Sequence, residues 1–185
     1  MLEEIYKIAR NKMQKTYELL SQELAKIRTG RANPAILDGI KVDYYGNLTP
    51  LKQLANIYVP EPRMLVIQVW DKNAVAEIEK AIYKAELGLT PKIDGSLIKI
   101  PIPPLTEERR KELIKLCAKL AEDAKIAIRN IRRDANDEIK KLEKEKKISE
   151  DDGRIGIKKI QEITDEFTEK IEELLKKKEK EILEE

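Results

Sequence analysis

Histidine is absent from all 185 residues. Ser-His-Asp and Cys-His catalysis, His-containing zinc motifs and a histidine switch near neutral pH are therefore excluded. Cysteine occurs once, at Cys117. The chain alone therefore builds neither a disulfide nor a cysteine metal site. Apolar neighbours make Cys117 a small core side chain, and one unpaired cysteine suits a reducing, cytoplasmic compartment. Aromatics are scarce, at 4% with one Trp and one Phe, which argues against a β-sandwich or barrel. The longest unbroken apolar run is the four residues from Met64 to Ile67, too short to span a membrane. The first ten residues carry Glu3 and Glu4 and no apolar core, unlike a signal peptide. The seven glycines form neither a GxGxxG nor a P-loop spacing. Nor does any separated carboxylate pair sit in an apolar stretch. No catalytic residue, metal or cofactor is expected, and the chain is not read as an enzyme.

Charge is what the chain has in excess. Asp, Glu, Lys and Arg make up 39% of it, yet the net charge is only +2. Globular chains carry about 25%, so long helices with wet, charged faces are indicated. Residues 1–28 repeat apolar or neutral side chains at Ile5, Ala9, Met13, Thr16, Leu20, Leu24 and Ile27, in helical steps of three and four. Thr106 begins a second long helix as its N-cap, with Glu107 and Glu108 in the first turn. Its stripe of Leu113, Leu116, Leu120, Ala124, Ala127, Ile131, Ala135, Ile139 and Leu142 predicts a helix to about Lys147. Ser149, with Asp151 and Asp152, caps a third helix striped by Ile157, Ile160, Ile163, Phe167, Ile171, Leu174 and Leu175. Gly153 and Gly156 weaken its first turns, and the tail after Leu175 is expected to fray. Three helices with one apolar stripe each predict an antiparallel three-helix bundle.

Residues 31–104 have a different texture. Ile40, Val42 and Tyr44 alternate with Lys41 and Asp43, Tyr45-Gly46-Asn47 signals a turn, and residues 57–59, 64–70 and 97–100 read as strands. Residues 73–87 read as a helix with Gly88 as its C-cap, and Asp94-Gly95 as a turn. The predicted fold class is thus α+β: bundle residues 1–30 and 105–185, with a small α+β domain inserted at 31–104. Two connectors join the domains. Thr29, Gly30, Arg31, Ala32, Asn33 and Pro34 form one, and Pro101, Ile102, Pro103, Pro104 and Leu105 the other. Gly and Pro keep helix from crossing them, so they are candidates for a hinge; a fixed joint is the alternative.

Net charge is +2 over residues 1–30, +1 over the insert, +4 over 105–147 and −5 over 148–185. One bundle helix is basic and another acidic. Within the basic one, Lys125, Arg129, Arg133 and Asn136 share a face, with Arg132 at its edge. Arginine forks bind phosphate bidentately, which makes this face a candidate RNA-backbone contact. With few aromatics nearby, contact would be to phosphate and shape rather than to base sequence. The competing reading is a solvated face whose arginines pair with Glu122, Asp134 or Asp137. If the helix starts at the connectors, Arg129 lies about 24 residues along it, roughly 36 Å away. Arg28, Arg31, Arg109 and Arg110 form a second basic set at the joint, or ordinary solvated helix ends.

Five stretches carry a resemblance. Arg28-Thr-Gly-Arg31-Ala-Asn-Pro34, Val42-Asp43-Tyr44-Tyr45-Gly46, Gly88-Leu-Thr-Pro91, Pro104-Leu-Thr-Glu-Glu-Arg109-Arg110 and Arg129-Asn-Ile-Arg132-Arg133-Asp134-Ala-Asn136 closely resemble the bacterial ribosome recycling factor family, in order and over the whole chain. The resemblance implies an L-shaped, tRNA-sized protein. It implies a monomer that binds the post-termination ribosome between the subunits, through large-subunit ribosomal RNA. With elongation factor G and its GTP hydrolysis, such a protein releases messenger RNA and splits the subunits. The implied RNA contacts are Arg132 and Arg129, followed by Arg133, Arg110, Arg28 and Arg31. Around Asp152–Gly156 the family more often has a second Arg and no Gly, and this chain ends Leu-Glu-Glu rather than in an apolar residue. The alternative from another functional class is a helical scaffold or adaptor that binds a protein through an exposed apolar stripe and self-associates.

Overall fold

The computed structural model describes residues 1–184. Contacts divide them into two units: residues 1–27 with 111–184, and residues 28–110. Each is taken in turn.

The first unit is a bundle of α1 (Leu2–Ala25), α3 (Glu107–Lys144, entering the unit at Lys111) and α4 (Glu150–Leu183). Arg10 reaches Glu166 at 2.9 Å, while Leu2 and Tyr6 lie beside Gly156, so α1 runs parallel to α4. Lys125 meets Glu172, Arg132 meets Gln161 and Ile139 meets Gly156, so α3 runs antiparallel to α4. Thr106 caps α3 as expected, its Oγ1 accepting the Arg109 N–H at 3.1 Å. The helix ends three residues before the expected Lys147. Lys146 turns left-handed at φ +57°, and the Lys147 N–H closes on the Leu142 carbonyl at 2.9 Å. Ser149 caps α4, accepting the Asp152 N–H at 3.0 Å.

The seam of α3 differs from the expected stripe. Its buried residues are Leu113, Cys117, Ala121, Ala124, Ile128, Ala135 and Ile139, whereas Leu116 is 42% exposed. Cys117, Ala121 and Ile128 take the fully buried places expected for Leu116, Leu120 and Ile131, while Leu113, Ala124, Ala135 and Ile139 belong to both rows. The change turns the helix by roughly 40° at 100° per residue. In α4 the stripe does not stop at Leu175. Lys178 and Ile182 are buried, and the tail expected to fray is packed helix. Gly153 and Gly156 are buried as well. A Cβ on Gly156 would lie 3.2 Å from both Ile139 Cδ1 and Leu2 Cδ2. The glycine there admits two neighbouring helices.

The second unit holds a four-stranded antiparallel sheet in the order β3-β4-β6-β5, with a separate β1-β2 hairpin. The strands are β1 (Lys41–Tyr44), β2 (Asn47–Pro50), β3 (Ala55–Glu61), β4 (Met64–Val69), β5 (Lys92–Asp94) and β6 (Leu97–Pro101). β2 and β5 were not anticipated. Both are short and mostly exposed, so neither carries a core-facing alternation. Tyr45 and Gly46, at φ +50° and +83°, make the left-handed turn that a right-twisted hairpin favours. Helix α2 (Val75–Lys84) is shorter than expected; its C-cap is Ala85 and Glu86 turns left-handed at φ +51°, two residues before the expected Gly88, which is also left-handed at φ +69°. Ile78 and Ile82 of α2 join Leu65, Ile67, Ile98 and Ile100 of the sheet in the core. Asp71 ties the hairpin down. Its Oδ2 accepts the Tyr44 hydroxyl at 2.8 Å and the Tyr45 hydroxyl at 3.3 Å. The Asn73 N–H, then the Tyr44 hydroxyl, hold its carboxyl below the ordinary range. Among the described residues no helix is long and apolar enough to cross a membrane.

Candidate nucleic-acid interface and connecting segments

The rotation of α3 sorts the predicted basic face into two kinds of residue. Lys125 and Arg132 swing to the α4 flank. Lys125 is only 19% exposed and pairs with Glu172 of α4 at 3.2 Å. Its charge is thus engaged in joining two helices. Arg132 is half-buried, and its Nη1 donates to Gln161 Oε1 at 3.4 Å. Gln161 in turn donates to Asp165 at 2.8 Å. A neutral amide therefore orients Arg132 without cancelling its charge.

Arg129 and Arg133 stay on the outward side. Arg129 is 53% exposed and meets Glu122 at 3.3 Å through one nitrogen. Arg133 is 66% exposed and lies 3.9 Å from Asp134. Pairs this exposed are worth roughly 0–1 kcal/mol, less than a bidentate phosphate contact supplies. Asn136, expected beside them, is half-buried, with its amide oxygen shielded from solvent. Gln161, Asp165 and Glu172, which hold Arg132 and Lys125, carry no signal in the sequence. Their role depends on which turn of α4 faces α3.

The second basic set flanks the connectors. Arg28 and Arg110 are half-buried; Arg31 and Arg109 are exposed. Arg31, Arg109 and Arg110 each have interaction partners within the chain. The connectors themselves are unequal along their length. The Ala32 N–H donates to the Pro62 carbonyl at 2.7 Å, and the Ile102 N–H donates to the Arg63 carbonyl at 2.8 Å. Asn33 accepts the Ala35 N–H at 3.0 Å, capping the short turn Pro34–Leu37. Pro101 pairs with Met64 in the sheet. Ala32–Pro34 and Pro101–Ile102 are thus fastened to the β3–β4 hairpin or to their own turn. Thr29 and Gly30 are buried, and Gly30 has φ +80°. Leu105, like Arg31, has an interaction partner within the chain; Gly30, Pro103 and Pro104 lie between these anchored stretches.

A family model described as "Ribosome recycling factor" matches residues 20–183. The ribosome-recycling factor of Carboxydothermus hydrogenoformans is 57% identical over 183 residues, covering 99% of each chain. That of Bacillus subtilis is 55% identical over 184 residues, covering 100% of each. A solution structure of the ribosome recycling factor aligns with TM-score 0.81 at 46% identity, covering 100% of this chain and 98% of the other. A second structure, of the Thermus thermophilus factor and Escherichia coli elongation factor G bound to the post-termination complex, aligns with TM-score 0.69 at 52% identity, covering 99% of both.

Proposed function

The chain belongs to the ribosome recycling factor family, and from that premise we propose how its own residues carry out recycling. The protein is a non-enzymatic translation factor. It binds the post-termination ribosome and, with elongation factor G, frees messenger RNA and separates the subunits. GTP hydrolysis belongs to that partner. Its place of work is the cytoplasm, where ribosomes finish translation.

The bundle supplies the grip. Arg129 and Arg133 project from α3, and Arg132 is aimed by the Gln161 amide. On meeting ribosomal RNA, Arg129 exchanges the exposed Glu122 carboxylate for phosphate, a replacement that costs little because the original pair is solvent-screened. Lys125 acts at one remove, by locking α3 to α4. The small unit supplies the moving part. Its sheet holds Ala32 and Ile102, so reorientation is centred on Thr29–Gly30 and Pro103–Pro104. The partner's push on a rigid sheet is then transmitted through two short connectors, which restrict its direction.

The observation that carries this reading is an outward arginine pair beside an oriented Arg132, in a chain of this family. Arg132→Ala is expected to weaken binding to purified post-termination ribosomes about tenfold, as loss of a charged phosphate contact does. Its melting temperature should stay near wild type. Affinity should fall linearly in log–log form as salt rises. Unchanged affinity, or a salt-independent one, would reject the assignment. A scaffold acting through an apolar stripe is not favoured, since the relatives matched over the whole chain are ribosome-recycling factors. A mass near 21.4 kDa by light scattering, with co-sedimentation with ribosomes, discriminates further.

A further inference from the structure

On the flank of the bundle away from Arg132, α1 and α3 do not close upon each other. Ala9 and Ala135 face the gap, and side chains this small leave a groove of about 250 Å³. Ile8 and Ile131 line its apolar part, and Ile8 is 47% exposed. Asp134 and Glu138, one turn apart on α3, form an acidic wall, and Lys12 stands on the α1 side. Asp134 is engaged only loosely by Arg133, at 3.9 Å. Leu19, Leu116 and Ile155 of the bundle are exposed too. Ile8 lies within a concavity next to carboxylates.

This combination selects against RNA. Two carboxylates repel phosphate, and no aromatic ring lines the groove for base stacking. It fits a cationic peptide with an apolar anchor, because opposite charge at a rim steers and registers a partner while the buried anchor holds it. We propose that the groove receives a basic segment of a ribosomal protein. An aliphatic side chain seats on Ile8 and Ile131, and a Lys or Arg lies against Asp134 and Glu138. The inference rests on the ribosome-binding reading above. It divides α3 into two interfaces: arginines toward RNA on one flank, carboxylates toward protein on the other.

The test compares full-length Ile8→Ser, Glu138→Lys and Arg132→Ala for affinity toward purified ribosomes. Melting temperatures are measured alongside. Ile8→Ser should bind about tenfold more weakly, the loss of one buried aliphatic anchor. Glu138→Lys should bind about fivefold more weakly, as for reversal of a rim charge. Both sites are exposed enough for the fold to persist. If Glu138→Lys binds more tightly, RNA lies in the groove and the proposal fails; if neither variant changes affinity, the groove is empty and the proposal fails. Should Arg132→Ala alone weaken binding, only this inference falls. Should Arg132→Ala also leave affinity intact, the ribosome reading falls with it. A photoreactive side chain at position 8 supplies a second measurement. Its adduct with purified ribosomes should be a ribosomal protein; an adduct with ribosomal RNA, or with a second copy of this chain, would overturn the proposal.

Discussion

Lys178 is a charged side chain where the bundle calls for an apolar one. It is 8% exposed, against Cys117 of α3, and its Nζ lies 3.8 Å from Glu181. Burial pushes its pKa down; Glu181 pulls it back up only in part. The folded state therefore sheds this proton more readily than the unfolded chain. Below the lowered folded pKa the full penalty of a buried ammonium applies. It is relieved as pH rises toward the free-lysine value of about 10.4. Lys178→Met should raise stability at pH 7 by about 1 kcal/mol, as replacement of a buried charge by a hydrophobe does. Denaturant titrations should show the gain shrinking between neutral pH and pH 10. A gain that grows with pH would refute this account. Burial likewise pushes the Cys117 thiol up, leaving it a poor nucleophile. That agrees with its reading as a core residue; its neighbours explain why it is so well buried.

Helix α4 carries two glycines in its first turns, and they have different reasons to be there. A Cβ on Gly153 would come within 2.7 Å of Glu143 Oε2, the far end of a side chain able to swing away. A Cβ on Gly156 would press on Ile139 and Leu2, and Ile139 is fully buried. Gly153→Ala should therefore gain helix propensity and raise stability by about 0.5 kcal/mol. Gly156→Ala should lose about 1 kcal/mol to overpacking. Thermal melts of the two variants should move in opposite directions. The apolar periodicity made all three long helices readable, along with the caps at Thr106 and Ser149. It misplaced the α3 seam, because Leu113-Leu116-Leu120 and Leu113-Cys117-Ala121 are both helical rows. Only contact with the other two helices chooses between them. The choice matters at the candidate RNA face: it moved Lys125 and Arg132 against α4 and left Arg129 and Arg133 outward.

For the molecule taken as two units, the proposed reorientation falls on the connectors. Gly30 adopts φ +80°, a conformation that costs a non-glycine residue roughly 1 kcal/mol or more. Gly30→Ala biases the first connector away from it without touching the arginines of α3. Subunit splitting in the presence of elongation factor G and GTP should slow about fivefold, the rate equivalent of about 1 kcal/mol. Ribosome affinity should stay within about twofold. Equal losses in both would place Gly30 in the binding surface instead. The interruption of helix by β-rich chain, the Gly and Pro at both crossings and the runs Arg28–Pro34 and Arg129–Asn136 were all legible without coordinates. The anchoring of Ala32 and Ile102 to the Pro62–Arg63 turn was not, since those bonds join residues about 30 to 40 positions apart.

Helix periods, capping residues, turn glycines and a basic stretch of α3 are local properties of the chain, set by spacing along one backbone, and reading in order recovers them. The facing of that stretch is different in kind. It follows from how three helices share a core, where Cys117 and Ala121 are buried and Leu116 is not. The same packing left Arg129 and Arg133 to solvent, gave Arg132 its amide partner and opened the acidic groove beside α1. None of these belongs to a single segment, because each depends on distances between elements that no spacing within one helix encodes.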